Sequence, residues 1–422
     1  MKTTLKRDWM VEFRENLLHG ILPFWMDHGI DRECGGAVGW LDRQGNPMQP
    51  GTKSVAQQGR LLWSLAQTYR RYPDSRYADA ATHIRIFLRD KMRDPAHGGY
   101  HWLVDRHGAV VNGMKLLNPM AFVLEGLAEY ALAFQDSAAL QEAFDLFEVM
   151  ERAHDNAHGG YRMAFTEDWQ PLDEYDSGSR VSSTACVSPV DEIHPVLADS
   201  HGRKSSDWHL GVLEAYATLY DVTRESAVAQ RLGELLDIFA HAVVDPEQGY
   251  CRLYFGQDWR PCDRGGDSGR SLYGLDLEAS WLMTDAARLL GRPDDPHVRR
   301  AALALVDHAL RDGFDGERGG LYLEGPADGP ADNKRKEWWQ QAEALVGILN
   351  AWQTTGDKKY QEAFEHHAGY VLDLFVDREY GDWYAAIDPD GTIDGTKAGP
   401  WRGPYHATRA CLEVMRRLGS TL

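Results

Sequence analysis

Apolar residues recur along the chain at the spacing of amphipathic helices, in one long segment after another. The first segment spans residues 9–28, where Trp9, Phe13 and Leu17 fall on one helical face. The same pattern, with charged residues on the opposite face, covers residues 76–92, 137–153, 225–243, 296–312 and 358–375. Such segments predict helices that bury one side and expose the other to solvent.

A second series of helical segments alternates with the first and is more apolar and more aromatic. It begins near Ser54, runs to Tyr69, and returns at residues 120–130, 209–216, 276–283, 338–346 and 405–414. Helices that are apolar nearly all round lie inside a protein. Six buried helices inside six amphipathic ones predict an all-α fold, a single (α/α)6 barrel.

A tight turn of the form Asp-x-x-x-Gly stands between the two kinds of helix and occurs six times. The copies begin at Asp31, Asp94, Asp155, Asp245, Asp315 and Asp377, and their glycines are 63, 61, 90, 70 and 62 residues apart. Self-similarity at a period near 60 indicates one repeated unit. Each glycine turn closes a short extended segment, so short β-hairpins are expected between the helices. Six units that close on one another predict a single domain over residues 1–422.

The spacing of 90 residues is the exception, because it contains an additional segment between residues 171 and 206. This segment is rich in Ser, Asp, Gly and Pro. A loop of this length inside a compact domain is usually functional or disordered. We expect it to lie over one mouth of the barrel.

Composition and charge narrow the range of partners. The formal charge of −19 argues against nucleic acid and against an anionic membrane, since both attract basic surfaces. No apolar run is long enough for a transmembrane helix, and the N-terminal residues do not resemble a signal peptide. Five cysteines at irregular spacing suit a reducing compartment, so a cytoplasmic protein is predicted. The exposed outer helices are compatible with a monomer or a homodimer.

Polar and aromatic residues cluster where the predicted inner helices begin, and these ends meet at one mouth of such a barrel. The candidates are Arg60, Asn118, Asp207, Trp208, His209, Tyr273, Asp276, Glu278, Trp338, Trp339, Glu343, Trp401 and His406. Flat aromatic walls stack on the C–H faces of a sugar, while carboxylates and imidazoles bond to its hydroxyls. The pattern therefore favours a neutral sugar as ligand.

Each candidate also has a purely structural interpretation. A lone histidine such as His406 is more often structural, although this one opens the last helix beside Trp401. Glu278 and Glu343 could be buried carboxylates paired with an arginine such as Arg60, or they could orient a histidine and bond to sugar hydroxyls. The tryptophan pair at 338–339 could equally belong to the core.

Metal and nucleotide cofactors find no support in the motifs. His194, His201 and His209 cluster with two acidic residues around the long loop, but they do not form a His-Glu-x-x-His pattern. The chain has neither a Walker loop nor a strand-led Gly-x-Gly-x-x-Gly motif. We therefore expect neither a metal nor an organic cofactor.

The most specific motifs resemble a known family. They are the stretches 212–216 (VLEAY), 276–283 (DLEASWLM), 338–352 (WWQQAEALVGILNAW) and 399–406 (GPWRGPYH). The chain resembles the N-acylglucosamine 2-epimerase superfamily, and within it the cellobiose 2-epimerases and the mannose 2-epimerases or isomerases. The resemblance covers essentially the whole chain and implies an (α/α)6 barrel, in agreement with the repeat.

The resemblance also implies a chemistry, in which a proton moves next to a sugar carbonyl through a cis-enediolate between two histidines. It implies that His406 is one of these histidines, that Arg60 binds the carbonyl or enediolate oxygen, and that Glu278 orients a catalytic group. It further implies that Trp338, Trp339 and Trp401 wall the sugar site, with Glu343 bonding to hydroxyls.

The chain departs from the family pattern at several of these positions. Where the family has a histidine three residues before the motif glutamate, this chain has Leu275. A family asparagine and histidine fall on Asp207 and Gly211, and a family tyrosine and histidine fall on Asn118 and Leu116. Leucine cannot carry a proton, so a two-histidine epimerisation cannot run here as the family runs it.

The leading hypothesis is a sugar isomerase or 2-epimerase that acts on a reducing mono- or disaccharide. His406 alone could serve an aldose–ketose isomerisation, assisted by Glu278 or Asp276, because one base can move a proton between C2 and C1. Alternatively, His209 supplies the second base, or the chain has left this chemistry.

Two rival hypotheses belong to other functional classes. An inverting glycoside hydrolase would use Asp207 with Glu278 or Asp276 as its pair of carboxylates. A catalytically silent sugar-binding protein would need only the pocket.

Overall fold

Twelve helices alternate between an inner and an outer ring in the computed structural model, which describes residues 7–172, 203–262 and 269–419. The inner helices are α2 (Val55–Arg71), α4 (Leu117–Phe134), α6 (Ser206–Thr223), α8 (Tyr273–Leu289), α10 (Trp338–Thr355) and α12 (Tyr405–Gly419). The outer helices are α1 (Trp9–Asn16), α3 (Ser75–Phe87), α5 (Ser137–Met150), α7 (Ser226–Ile238), α9 (Pro296–His308) and α11 (Lys358–Tyr370).

The inner helices close into a ring. In order, α2 contacts α4, α4 contacts α6, α6 contacts α8, α8 contacts α10, α10 contacts α12, and α12 returns to α2. Each outer helix packs on one inner helix, with α1 on α12, α3 on α2 and the others in the same sequence. The predicted (α/α)6 barrel is confirmed.

Burial follows the two hydrophobic patterns. Every residue of α4 from Leu117 to Ala131 is buried, because this helix has neighbours on all sides. The outer helix α3 buries only one stripe, which includes Tyr77, Ala81 and Ile84, and its other face meets solvent.

The outer helices end in irregular turns that lead into the repeated glycine turn. Five-residue π-helical turns cover Leu17–Ile21, Trp25–Gly29, Leu88–Met92, Phe239–Val243, Ala309–Gly313 and Val371–Phe375, and a 3-10 turn covers Glu151–Ala153. In each Asp-x-x-x-Gly copy the glycine has a positive φ, as at Gly35 (92°) and Gly381 (93°), and its N–H bonds to the aspartate carbonyl. The prediction that these turns require glycine agrees with this backbone conformation.

Short antiparallel strands connect the units on one side of the barrel. They are β1 (Lys53–Ser54), β2 (Leu103–Val104), β3 (Val110–Asn112), β4 (Lys115–Leu116), β5 (Ala164–Phe165), β6 (Lys204–Ser205), β7 (Tyr254–Phe255), β8 (Arg270–Leu272), β9 (Glu324–Pro326), β10 (Lys336–Glu337), β11 (Ala386–Ile387) and β12 (Ile393–Asp394). They form sheets in the orders β1-β2-β3, β4-β5, β6-β7, β8-β9 and β10-β11-β12, with Lys53 opposite Val104 in the first. Several of these strands lead directly into an inner helix and fix where it begins.

A buried lysine binds the aspartate of the turn in five of the six units, a feature that the sequence analysis missed. The pairs are Lys53–Asp31, Lys115–Asp94, Lys204–Asp155, Lys336–Asp315 and Lys397–Asp377, with nitrogen–oxygen distances of 2.6–3.1 Å. Burial alone would raise the pKa of Asp94, but the bonds from Lys115 and from two backbone N–H groups lower it. In four units the lysine follows the aspartate by 20–22 residues, a repeat that could have revealed the pair.

Replacing Lys115 with methionine is expected to destabilise the protein by about 3–5 kcal/mol, because Asp94 would remain buried without its cation. Both side chains are at most 2% exposed. Urea unfolding would measure the loss. The matched control is Lys359→Met, since Lys359 is 52% exposed in its pair with Asp307 and should cost no more than about 1 kcal/mol. Equal losses in the two variants would contradict the assigned role.

Two further expectations can be compared with the structure only over the described residues. Most of the predicted loop at 171–206 lies outside the described residues, so its position over the mouth stays a prediction. Within residues 7–172, 203–262 and 269–419, no helix combines the length and the apolarity that a bilayer crossing requires.

Candidate active site

A pocket of about 280 Å³ opens at the barrel mouth where the inner helices begin. It is lined by Arg60, Asn118, Phe122, Asp207, Trp208, Leu210, Gly211, Glu214, Glu278, Trp338, Trp339, Trp401 and His406. Nine of the thirteen candidate residues from the sequence analysis therefore share one cavity. Each of the six inner helices, or the loop before it, contributes at least one of them.

His406 lies in the first turn of α12 with its ring against the pocket. Its Nδ1 lies 2.8 Å from Glu343 Oε1, an oxygen that accepts a hydrogen bond. In the tautomer that donates from Nδ1 to Glu343, the lone pair is on Nε2, and Nε2 makes no hydrogen bond to the described part of the chain. Burial lowers the pKa of His406 well below its ordinary value, and the charges of Arg60 and Arg402 lower it further. The side chain is therefore a neutral imidazole, the form that can accept a proton.

Glu343 lies behind His406 rather than in the pocket wall. Its Oε2 accepts a hydrogen bond from Trp281 Nε1 at 3.1 Å, and its Oε1 faces the histidine. These two bonds fix the carboxylate and, through it, the orientation of the imidazole ring. Glu343 therefore reaches the pocket only through His406.

Arg409 is a central residue of the site that the sequence analysis did not identify. It follows His406 by three residues on α12, so both side chains lie on the same helix face. Its guanidinium contacts the carboxylates of Glu214 and Glu278, and lies 2.8 Å from Glu343 Oε1. The i, i+3 spacing from the predicted histidine was the available signal.

Three buried carboxylates thus share one guanidinium. Ionising all three would leave more negative than positive charge in the protein interior, at a large cost in free energy. Burial raises the pKa of Glu278 to about 8, and the charge of Asp207 adds to the effect. Burial likewise raises the pKa of Glu343 well above its ordinary value, with the charge of Glu278 as the next cause. The cluster of Glu214, Glu278, Glu343 and Arg409 therefore retains at least one carboxyl proton at neutral pH.

Two of these carboxylates, together with His406, have the spacing of a metal site but not its chemistry. Glu278, Glu343 and His406 each place one donor atom within 4.8 Å of the other two. However, the Arg409 guanidinium already bonds to both carboxylates. The positive charge among these groups is therefore that of an arginine.

Arg60 projects into the same cavity from α2, the inner helix next to α12 in the ring. Its guanidinium stacks 3.9 Å from the ring centroid of Phe122 and donates to the Trp401 carbonyl at 2.7 Å. Nearby, Asn118 Oδ1 is buried without a hydrogen-bond partner among the described residues. A guanidinium and an amide oxygen of this kind can bind a polar ligand inside the pocket.

His209 was predicted as a second base, and the geometry contradicts that prediction. Its Nδ1–H donates to the Ser205 carbonyl at 2.7 Å, and its Nε2 accepts from the Tyr161 N–H at 2.9 Å. Burial lowers its pKa to about 4. Both ring nitrogens are occupied by the backbone, so His209 is a structural histidine outside the pocket.

Asp276 and Tyr273 were also predicted for the site, and the structure places neither in the pocket. Asp276 accepts hydrogen bonds from the Cys251 N–H and the Ser271 hydroxyl, both at 2.7 Å, and pairs with His308 at 3.0 Å. Tyr273 is fully buried against the His308 ring. A helix turns by about 100° per residue, so Asp276 points away when Glu278 faces the pocket.

The two main departures from the family pattern lie in different surroundings. Leu275 is fully buried in the core and does not line the pocket. Gly211 does line it, and a Cβ atom built there would lie 2.2 Å from Asn118 Oδ1. The glycine therefore gives the Asn118 side chain the room that it occupies.

Gly211→Ala is expected to push Asn118 out of its position and to lower kcat/KM by about 10- to 100-fold for the reaction at this site. The control is Gly233→Ala on the outer helix α7, where the nearest atom to the new methyl group is 4.0 Å away. Steady-state kinetics of both variants would test this. Unchanged kcat/KM in Gly211→Ala would show that Asn118 does not contribute to the binding site.

The closed double ring and its aromatic, charged pocket define a protein of the (α/α)6-barrel class. The family model of N-acylglucosamine 2-epimerase matches residues 36–181 and 191–410, and the chain belongs to this family. A cellobiose 2-epimerase of Ruminococcus albus is 32% identical over 414 residues, which cover 96% of this chain and 98% of that protein.

Solved structures give the same result. The cellobiose 2-epimerase of Spirochaeta thermophila superposes with a TM-score of 0.84 at 31% identity, covering 99% of each chain. A D-mannose isomerase has a TM-score of 0.83 at 20% identity, covering 98% of this chain and all of the other, and this likeness shows the shared fold.

Proposed function

We propose that the protein is a sugar isomerase or 2-epimerase that acts on a reducing mono- or disaccharide of the mannose, glucose, fructose or cellobiose type. The observation that carries the proposal is the neutral His406, held by Glu343, with Nε2 directed to a pocket walled by tryptophans. Membership of the N-acylglucosamine 2-epimerase family supports the same chemistry.

We assign the pocket residues to the steps of an enediolate reaction as follows. His406 Nε2 takes the proton from the carbon next to the sugar carbonyl, and the electron pair moves onto the carbonyl oxygen. Arg60 stabilises the oxygen that becomes negative. Trp338, Trp339 and Trp401 stack on the sugar ring, while Asn118 and Asp207 bond to its hydroxyls.

This chemistry runs on the protein's own side chains, since base, oxyanion partner and proton donors are all present in the pocket. We therefore propose an enzyme that needs no metal or organic cofactor. We further propose that it works in the cytoplasm as a monomer or homodimer, in keeping with its irregularly spaced cysteines and the exposed faces of its outer helices.

The test is proton exchange observed by NMR in D2O with mannose, glucose, fructose and cellobiose. Deuterium is expected at C2 of an aldose or C1 of a ketose for at least one sugar. Protein-free samples provide the control. Absence of exchange with all four sugars, from folded protein, would overturn the proposal.

The hydrolase hypothesis retains one pair of carboxylates. Asp276 does not reach the pocket, so only Asp207 and Glu278 could act across it. Glu278 also binds Arg409, and this contact holds its carboxyl group in place. The acid of a hydrolase would instead have to face the glycosidic oxygen. Release of reducing ends from aryl glycosides, lost in Asp207→Asn, would favour hydrolysis instead.

A further inference from the structure

We propose that a second cavity, at the opposite end of the barrel from the candidate active site, binds a neutral molecule with several hydroxyl groups, such as a sugar or another polyol. This lower cavity, whose wall includes Gln67, Glu129, Thr218 and Asp285, holds about 650 Å³. Small-molecule sites usually hold about 300–1,000 Å³. Among the described residues, the two cavities share only Glu214, so binding in the lower cavity does not depend on the reaction proposed above.

The inner helices place the lower cavity at the other mouth of the barrel. On α6, Asp207 lines the candidate active site and Asp221 lines the lower cavity. These residues are 14 positions apart, which is about 21 Å along a helix that rises about 1.5 Å per residue. On α2, Arg60 and Arg70 are divided between the two cavities in the same order.

A buried ionic layer separates the lower cavity from the candidate active site. The Arg409 guanidinium lines the lower cavity and contacts the carboxylates of Glu214 and Glu278, the second of which belongs to the candidate active site. Trp281 also lines the lower cavity, and its Nε1 donates to Glu343 at 3.1 Å, behind His406. A molecule in the lower cavity is therefore held by different side chains and is not an extension of the upper ligand.

The charges around the lower cavity argue for a neutral ligand. Its wall carries five arginines and six acidic residues, so the two signs are nearly balanced. Several of these groups are already paired, with Arg70 at 2.9 Å from Glu129 and Arg416 at 2.6 Å from Glu413. A wall of this kind does not concentrate small ions of either sign, since that requires an excess of the opposite charge.

The hydrogen-bonding groups of the wall suit hydroxyl groups. A hydroxyl both donates and accepts, so it can bond to a guanidinium, to a carboxylate and to the Gln67 amide. Glu125 accepts from the Tyr405 hydroxyl at 2.8 Å, and burial raises its pKa to about 7. Its carboxyl group can therefore accept from a ligand hydroxyl or donate to one at neutral pH. Trp63 and Trp281 provide apolar surface for the C–H groups between the hydroxyls.

The lower cavity also offers a way in from the solvent. Arg71 and Arg288 line it and are exposed, whereas Glu125 and Glu214 line it and are buried. A ligand can thus enter between exposed arginines and reach buried polar groups, an arrangement typical of small-molecule sites.

The experiment follows the indole N–H signals of Trp63 and Trp339 in the wild-type protein by NMR, because the first residue lines the lower cavity and the second the candidate active site. Each signal is identified by its loss in Trp63→Phe or Trp339→Phe. The probes are cellobiose and sorbitol, which has no carbonyl group and cannot be isomerised. Saturable movement of the Trp63 signal is expected. Movement with cellobiose alone would identify a sugar as the ligand, and movement with both probes a polyol in general.

Two variants that fill the lower cavity locate the binding. Ala217→Phe places a ring in it from α6, and Gln67→Phe does so from α2, which keeps the test valid if one variant does not fold. Both are expected to weaken the response of Trp63 by about tenfold or more, because the ring occupies the space of the ligand. The response of Trp339 should be unchanged. Ala227→Phe, at an exposed position of α7, is the matched control.

Three results would overturn the proposed site. One is a Trp63 signal that moves with neither cellobiose nor sorbitol. Another is a Trp63 response that remains at wild-type strength in the folded cavity-filling variants, because the signal would then report binding elsewhere. The third is a response to inorganic phosphate or to putrescine without a response to the neutral probes, which would show that the cavity selects an ion.

Discussion

His406→Gln is expected to lower kcat for sugar conversion by about 10²- to 10⁴-fold, because it removes the group that takes the proton from carbon. The glutamine amide has no basic nitrogen, yet it can keep a hydrogen bond to Glu343. KM should therefore change much less than kcat. Deuterium exchange into the sugar, followed by NMR, measures the proton-transfer step directly.

The control for this variant is His19→Gln, since the His19 side chain is 72% exposed and pairs only with a neighbouring glutamate on the surface. It should retain wild-type exchange rates. A rate within tenfold of wild type in His406→Gln would mean that another group removes the proton. The search would then turn to the acidic residues of the pocket.

Arg409→Met is expected to destabilise the protein by about 3–5 kcal/mol and to abolish measurable activity. The substitution leaves Glu214, Glu278 and Glu343 buried without their shared cation. Without the arginine these carboxyls must hold protons in the folded state, so their folded pKa values rise above the unfolded ones. Stability from such groups is fully present below the unfolded pKa, about 4.3 for glutamate, and is lost as the pH rises through the folded values.

The destabilisation should therefore be larger at pH 8 than at pH 5, as urea unfolding at the two pH values would show. Arg288→Met is the matched control, because Arg288 is 57% exposed and lies 3.9 Å from its partner Asp285. It should cost no more than about 0.5 kcal/mol at either pH. A pH-independent loss in Arg409→Met would indicate that the arginine contributes by packing rather than by charge.

The repeated lysine–aspartate pairs illustrate a class of contact that local patterns do not reveal. Lys204 and Asp155 are 49 residues apart in the chain, yet they form the same contact as pairs separated by 20–22 residues. From the sequence, a lysine next to a short strand is expected to be a solvent-exposed charge. It becomes buried only when the strand packs against the turn. Burial of both partners is decided by that packing.

The sequence by itself determined the alternation of two helix types, the six glycine turns and hence the closed double ring. It also determined that the polar and aromatic residues at the inner-helix starts would gather at one mouth. These features depend on hydrophobic periodicity and on backbone conformations that only glycine adopts readily, and both are local properties of the chain.

Only the tertiary structure decided which of those residues face the pocket. An inner helix is apolar nearly all round, so its hydrophobic pattern does not specify a direction, and His209, Tyr273 and Asp276 could be predicted for the site although they point elsewhere. The same holds for Arg409, whose three carboxylate partners come from three different helices. The rotation of each inner helix is set by its neighbours in the ring, and this rotation places His406, Glu278 and Arg409 together.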